Sequence, residues 1–135
     1  MKQYYSKEVI KRFLHPKNLG KIKNPDGVGD TENLRCGDIM KIYIKIIRKK
    51  GKEYIKDARF QTLGCSAAIA TSDIICDLVK GKTIEKAKRI GFKDVRDRLQ
   101  PLPPQKLHCC LLAERGLKQA IADYQRKKHK KCNDK

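Results

Sequence analysis

The hydrophobic period of the chain switches at Gly64-Cys65-Ser66 from two residues to about 3.6, and that switch decides the kind of fold open to it. Upstream, Met40, Ile42, Ile44 and Ile46 alternate with Lys41, Tyr43, Lys45 and Ile47, as in a half-buried strand. Lys49-Lys50-Gly51-Lys52 turns the chain, and Glu53 to Leu63 reads as the antiparallel partner. Downstream, Ala67, Ile69, Ala70, Ile74, Leu78 and Val79 form an apolar helical stripe that stops at Gly81, in the C-cap position. Strands followed by helices predict an α+β fold, a small antiparallel sheet of about three strands with helices packed on one face.

The remaining elements follow from caps and breakers. Ser6 is placed to cap a first short helix with Val9, Ile10, Phe13 and Leu14 on one face, stopped by His15-Pro16. Lys17 to Arg35 is mostly loop, with a turn at Asn24-Pro25-Asp26-Gly27 and one short strand around Val28 to Leu34. Thr83 caps a helix carrying Ile84, Ala87 and Ile90 and ended by Gly91, and Asp94 to Leu99 adds a turn or two. Pro101-Leu102-Pro103-Pro104 forces an extended segment. The longest helix comes last, from about His108 to Arg126, burying Leu111, Leu112, Ala113, Leu117, Ala120, Ile121 and Tyr124. Residues 127–135 are a basic tail, expected to be disordered. The 135 residues suffice for one domain, 1–135.

No run approaches the roughly 20 consecutive apolar residues of a membrane span, and Met1-Lys2-Gln3-Tyr4-Tyr5 has no signal-peptide core, so a cytoplasmic location is expected. Six cysteines at irregular spacing in a reducing compartment point to ligands, nucleophiles or core residues rather than disulfides. The net charge of +18 suggests an acidic partner. Its cations are spread along the chain, however, and the two dense runs, Arg48 to Lys52 and Arg126 to Lys131, carry almost no aromatic residues for stacking bases. They read as solvated surface, and nucleic acid is not the expected partner.

The chemistry concentrates at three cysteines. Cys65 and Cys109 sit at junctions into helices, where unpaired N-H groups and the helix dipole favour the thiolate, the form that binds metal and accepts sulfur. Cys36 sits on a glycine turn beside a carboxylate, Cys36-Gly37-Asp38, and His108 precedes Cys109. Three thiols and an imidazole are four soft donors suited to iron or zinc, whereas Asp38 is a harder and weaker one. Asp38 could equally be an ordinary turn residue. Cys76, among Ile74, Ile75, Leu78 and Val79, reads as core; Cys132, His15 and His129 read as surface residues.

Taken together, Cys36-Gly37-Asp38, Asp57 to Ala70, Lys80-Gly81-Lys82, Leu102 to Cys109 and Ala122-Asp123-Tyr124 resemble the IscU and NifU N-terminal type of iron-sulfur cluster assembly scaffold over nearly the whole chain. The resemblance implies that Cys36, Cys65 and Cys109 are cluster ligands, that His108 or Asp38 completes the site, and that Asp38 keeps the cluster labile. It implies a transient [2Fe-2S] cluster, a [4Fe-4S] form on a dimer as an alternative, Fe2+ as the iron source and Zn2+ as an occupant of the apo site. Its partners would be a cysteine desulfurase of the IscS/NifS type, a ferredoxin, apo iron-sulfur acceptors and an Hsp70/J-type chaperone. Such a protein is a scaffold, not an enzyme.

Three departures from the family pattern bear on those expectations. Cys110 replaces a small hydroxyl residue after Cys109, the expected persulfide acceptor, so persulfide migration to Cys110 or its substitution as a ligand is open; residues i and i+1 of a helix point about 100 degrees apart, so both cannot face one metal, and Cys110 is the one expected to face the core. Leu102-Pro103-Pro104-Gln105-Lys106, an extended peptide suited to groove docking, has Gln105 where the chaperone-read motif has valine. Asn33-Leu34-Arg35 stands before Cys36 in place of small residues and proline. The competing reading is a zinc-binding sulfur acceptor or desulfurase regulator of the SufU type, which carries an insertion between its second and third cysteines and lacks the histidine. A basic RNA-binding module is a third.

Overall fold

The computed structural model describes residues 7–33, 38–64, 66–99 and 107–133. Three strands, β1 (Gly27–Asn33), β2 (Asp38–Lys49) and β3 (Lys52–Leu63), form one antiparallel sheet in the order β1-β2-β3. Lys50 and Gly51, at φ 50° and 77°, make the two-residue turn between β2 and β3, and Lys49 pairs with Lys52. Positive φ at both positions matches the right-handed twist of the strands, which is why glycine belongs there. Met40, Ile42 and Ile44 are fully buried, as their alternation predicts. On β3 the alternation breaks: Ala58 and Phe60 are buried, but so is Ile55. The register explains it, because Lys45 faces Asp57 while Ile46 faces Ile55, leaving Lys56 as the extra residue of a bulge.

The helices are α1 (Lys7–Leu14), α2 (Ser66–Val79), α3 (Ile84–Arg89), α4 (Phe92–Leu99) and α5 (Leu107–Asn133). Helices α2 and α5 cover the sheet face that carries Met40, Ile42 and Phe60, with Ile74, Ile75, Val79, Leu117, Ala120 and Ile121 in the same core. The expected α+β architecture is the observed one. Strand β1 and helix α5 approach closely because Gly27 and Gly29 bring no side chains between them. Thr83 caps α3 as expected, accepting from the Lys86 N-H at 3.2 Å. Gly81, at φ 80°, ends α2 and donates its N-H to the Ile55 carbonyl at 2.8 Å, which covers the free edge of β3.

Three expectations are corrected. In α1 the buried residues are Val9 and Arg12, whereas Ile10, Phe13 and Leu14 are exposed. The helix docks through charge: Arg12 Nη1 donates to Asp73 Oδ2 and to Asp77 Oδ2, each at 2.6 Å. Leu111 is 42 % exposed rather than core. Helix α5 runs to Asn133, seven residues past its expected end, so the basic segment 127–133 is helical. Lysine is a good helix former, no glycine or proline interrupts the run, and Lys128 Nζ reaches Glu53 Oε1 at 2.7 Å while the Tyr124 hydroxyl bonds Glu53 Oε2.

Two carboxylates tie these elements together and set an acid limit. Burial pushes the Asp77 carboxyl up, but hydrogen bonds from Asn18 and Arg12 and the charges of Arg12 and Lys80 outweigh it and hold it below its ordinary value. Burial likewise opposes the lowering at Asp123, which accepts the Val28 N-H at 2.9 Å and faces Lys127 and Arg126. A carboxylate whose folded pKa is depressed contributes stability that is present above its unfolded pKa, about 3.9, and lost as pH falls through the folded value. Unfolding free energy is therefore expected to be flat for these groups above about pH 5 and to fall below about pH 4. Asp77→Asn and Asp123→Asn should each flatten that limb in urea titrations at stepped pH; an unchanged limb in both would remove these groups from the account.

Candidate metal centre

Strand register brings the segments that carry the candidate ligands toward one end of the sheet. Asn33, the last residue of β1, pairs with Asp38, the first of β2, so the four residues joining them include Cys36. Ile39 pairs with Leu63, the last residue of β3, and Cys65 follows two residues later, immediately before α2. His108 and Cys109 are the second and third residues of α5. Cys109 is fully buried against Ala67 and Ala68 of the first turn of α2. The Thr71 hydroxyl lies within hydrogen-bonding distance of two carbonyls, those of Ala68 at 3.1 Å and Cys109 at 3.4 Å, and so ties the starts of α2 and α5. The Thr31 hydroxyl reaches the Leu112 carbonyl at 3.4 Å, which holds the end of β1 to the same part of α5.

Cys36, Gly37, Cys65 and the segment Leu102-Pro103-Pro104-Gln105-Lys106 lie outside the described residues, as do the side chains of Asp38 and His108. The flanks are what the fold defines: Asn33, Ile39, Leu63, Ala67 and Cys109 belong to elements that meet there. Ile39 and Leu63, 40 % and 71 % exposed, put apolar surface on this end.

The adjacent thiols differ in their surroundings. Cys110 belongs to the main core with Val95 and Leu112, and burial pushes its thiol up to about 11 despite the opposing charge of Arg96. A thiol held neutral in that way is a poor nucleophile and a poor ligand. Cys110 thus faces the main core, as expected. Cys76 is also core, and burial raises its thiol further. Sequence reasoning passed over Thr71, whose one visible signal was a polar Thr71-Ser72-Asp73 run inside an apolar helix; all three are fully buried.

A three-stranded antiparallel sheet backed by helices, with a thiol at the start of its longest helix, defines a class of small α+β domains with a candidate metal site at one sheet end. The profile of the NifU-like N-terminal domain matches residues 4–131. An iron-sulfur cluster assembly scaffold protein, IscU 1 of Archaeoglobus fulgidus, is 48 % identical over 126 residues, 93 % of this chain and 80 % of that protein. The scaffold protein IscU of Escherichia coli K12 is 42 % identical over 130 residues, 94 % of this chain and 98 % of that one. Among solved structures, a SUF-system chain from Fervidobacterium islandicum AW-1 superposes with a TM-score of 0.68 at 24 % identity, covering 87 % of this chain and 96 % of that one, and shares the fold. The chain belongs to the NifU-like N-terminal domain family, on the side of its IscU members.

Proposed function

We propose that the chain is a scaffold on which a labile iron-sulfur cluster is assembled and from which it is handed to acceptor proteins. The supporting observation is the convergence of β1, β2, β3, α2 and α5 at the sheet end; in the sequence Asp38 opens β2, His108 and Cys109 open α5, and Cys36 and Cys65 fall in the connections between these elements. The IscU relatives at 42 % and 48 % identity support the same reading.

In this reading the cluster is cargo. Cys36, Cys65 and Cys109 hold iron through thiolates, and His108 or Asp38 completes the site. A cysteine desulfurase presents sulfur as a persulfide. Attack by the Cys109 thiolate on the outer sulfur breaks the persulfide bond, releases the desulfurase thiolate and leaves a persulfide on Cys109. That sulfur must still be reduced to sulfide, and a ferredoxin is the class of protein that supplies the electrons. Cys109 is fully buried beside Ala67 and Ala68, so its thiol must become accessible for the transfer. Exposed Ile39 and Leu63 suit docking of a protein partner next to the site.

The experiment is anaerobic reconstitution with iron, cysteine and a desulfurase, followed by addition of apo-ferredoxin and observation of its visible spectrum. Holo-ferredoxin is expected to appear. A protein that holds zinc tightly and forms no cluster would overturn the scaffold reading. Asp38→Ala is expected to keep its cluster roughly tenfold longer, because loss of the hard, weak donor removes the exchangeable position. Equal or faster loss of the cluster spectrum in that variant would remove Asp38 from its role.

A further inference from the structure

Two cavities share a wall at the other end of the sheet, around the β2–β3 turn. Since β2 spans 12 residues, that end lies roughly 35 Å from Asp38. The larger cavity, about 530 Å³, lies between the hairpin tip and the α2–α3 turn and is lined by Lys52, Lys82, Lys86 and Arg89 together with Tyr54. The other, about 520 Å³, holds Lys49, Lys50 and Lys56 and again Tyr54. All seven cationic residues are exposed, and none makes an ion pair or side-chain hydrogen bond among the described residues. Only two carboxylates line either cavity, Glu53 and Glu85, and Glu53 is already engaged by Lys128 and the Tyr124 hydroxyl. Gly51 and Gly81, at positive φ, carry the two turns that border the basin, and open space lies beside each.

We propose that this basin is a binding site for a compact polyphosphate anion, either a nucleoside triphosphate or an inorganic polyphosphate. The two hollows, both open to solvent, have the volumes of small-molecule sites. Seven cations without a partner among the described residues repel one another, and a ligand carrying several negative charges in a small volume relieves that repulsion. Lysine ammonium groups are compact point charges that bind phosphate without demanding a fixed planar geometry. Tyr54 adds an aromatic residue to a basic region that looks purely cationic along the sequence, because the fold brings β3 beside Lys82 and Lys86 of the α2–α3 turn.

The test is isothermal titration of the apo protein in about 0.1 M salt, where exposed charges more than about 10 Å apart are screened. Tripolyphosphate and ATP should both bind, and Lys82→Glu/Lys86→Glu should weaken each roughly tenfold or more. Lys7→Glu/Lys11→Glu, which makes the same change in net charge on exposed residues of α1, should leave affinity within about twofold. ATP binding tighter than tripolyphosphate, with the gap closing in Tyr54→Leu, identifies a nucleotide; equal affinities identify the inorganic anion. No saturable binding, or equal losses in both charge-reversal pairs, would overturn the site, as would single-stranded RNA that binds the Lys82→Glu/Lys86→Glu protein unchanged and displaces tripolyphosphate. Circular dichroism of each variant confirms folding, and cluster assembly is not needed for any readout.

Discussion

Alanine at Gly29 is expected to lower the unfolding free energy by about 3 kcal/mol, the upper end of the usual cost of overpacking. A Cβ at Gly29 would stand 1.9 Å from the Gly116 carbonyl oxygen and 2.8 Å from the Ala120 backbone nitrogen. Both obstacles are helix backbone, so neither can turn aside as a side-chain end would. Relief requires β1 to lift from α5, which would expose Ile42, Leu117 and Ala120 where strand and helix close over them. Gly116 is the internal control, since its own Cβ would meet side-chain atoms and no sheet backbone: Ile42 Cδ1 at 3.0 Å, Ile42 Cγ1 at 3.3 Å and Thr31 Oγ1 at 3.6 Å. Gly116→Ala should fall within about 1 kcal/mol of the parent, because better helix propensity offsets the mild contact. Urea denaturation with a constant m-value measures both; a Gly29→Ala protein within 0.5 kcal/mol of the parent would show that β1 is not held against α5 in this way.

The hairpin and the helix stripes were legible in the sequence because each is a short-range pattern repeated several times: Met40-Ile42-Ile44 on β2, Ala67-Ala70-Ile74 on α2, Gly81 and Thr83 at their caps. The bulge at Lys56 was not, because an inserted residue is defined by what the partner strand does, and Tyr54-Ile55-Lys56 has no local mark of it. The exposed face of α1 was misjudged for a related reason. Four apolar residues outweigh one arginine in any periodicity argument, and only Asp73 and Asp77, some sixty residues away in sequence, explain why Arg12 is inside. Of the candidate centre, Cys109 and its helix start were readable from spacing, whereas the helix step alone said only that Cys109 and Cys110 point in different directions. The basin around Tyr54 was hidden, since its cations come from two segments that the sequence separates by some thirty residues.

Removing Arg12 should expose how much of α1 rests on that charge. Arg12→Ala is expected to cost about 3 to 4 kcal/mol, since taking one partner from a buried ion pair leaves the other uncompensated. Asp73 has no exposed surface, and its Oδ1 accepts from the Asn18 N-H and Nδ2 at 2.8 and 3.1 Å while Oδ2 is left to Arg12. Asn18 also bonds Asp77 Oδ1 and Lys80, which pairs with Asp57 on β3, so the loop after α1, helix α2 and the sheet share one polar network. The double substitution with Asp73→Asn separates the pair from its desolvation: it should cost less than the sum of the singles by at least about 1 kcal/mol. The pH dependence adds an independent check. Arg12 is part of what holds the Asp77 carboxyl below its ordinary value, so its contribution fades as Asp77 takes up a proton, and the penalty of Arg12→Ala should shrink below about pH 4. A penalty that is additive with Asp73→Asn and constant between pH 7 and pH 3 would mean that Arg12 holds α1 through its hydrocarbon stem and not through its charge.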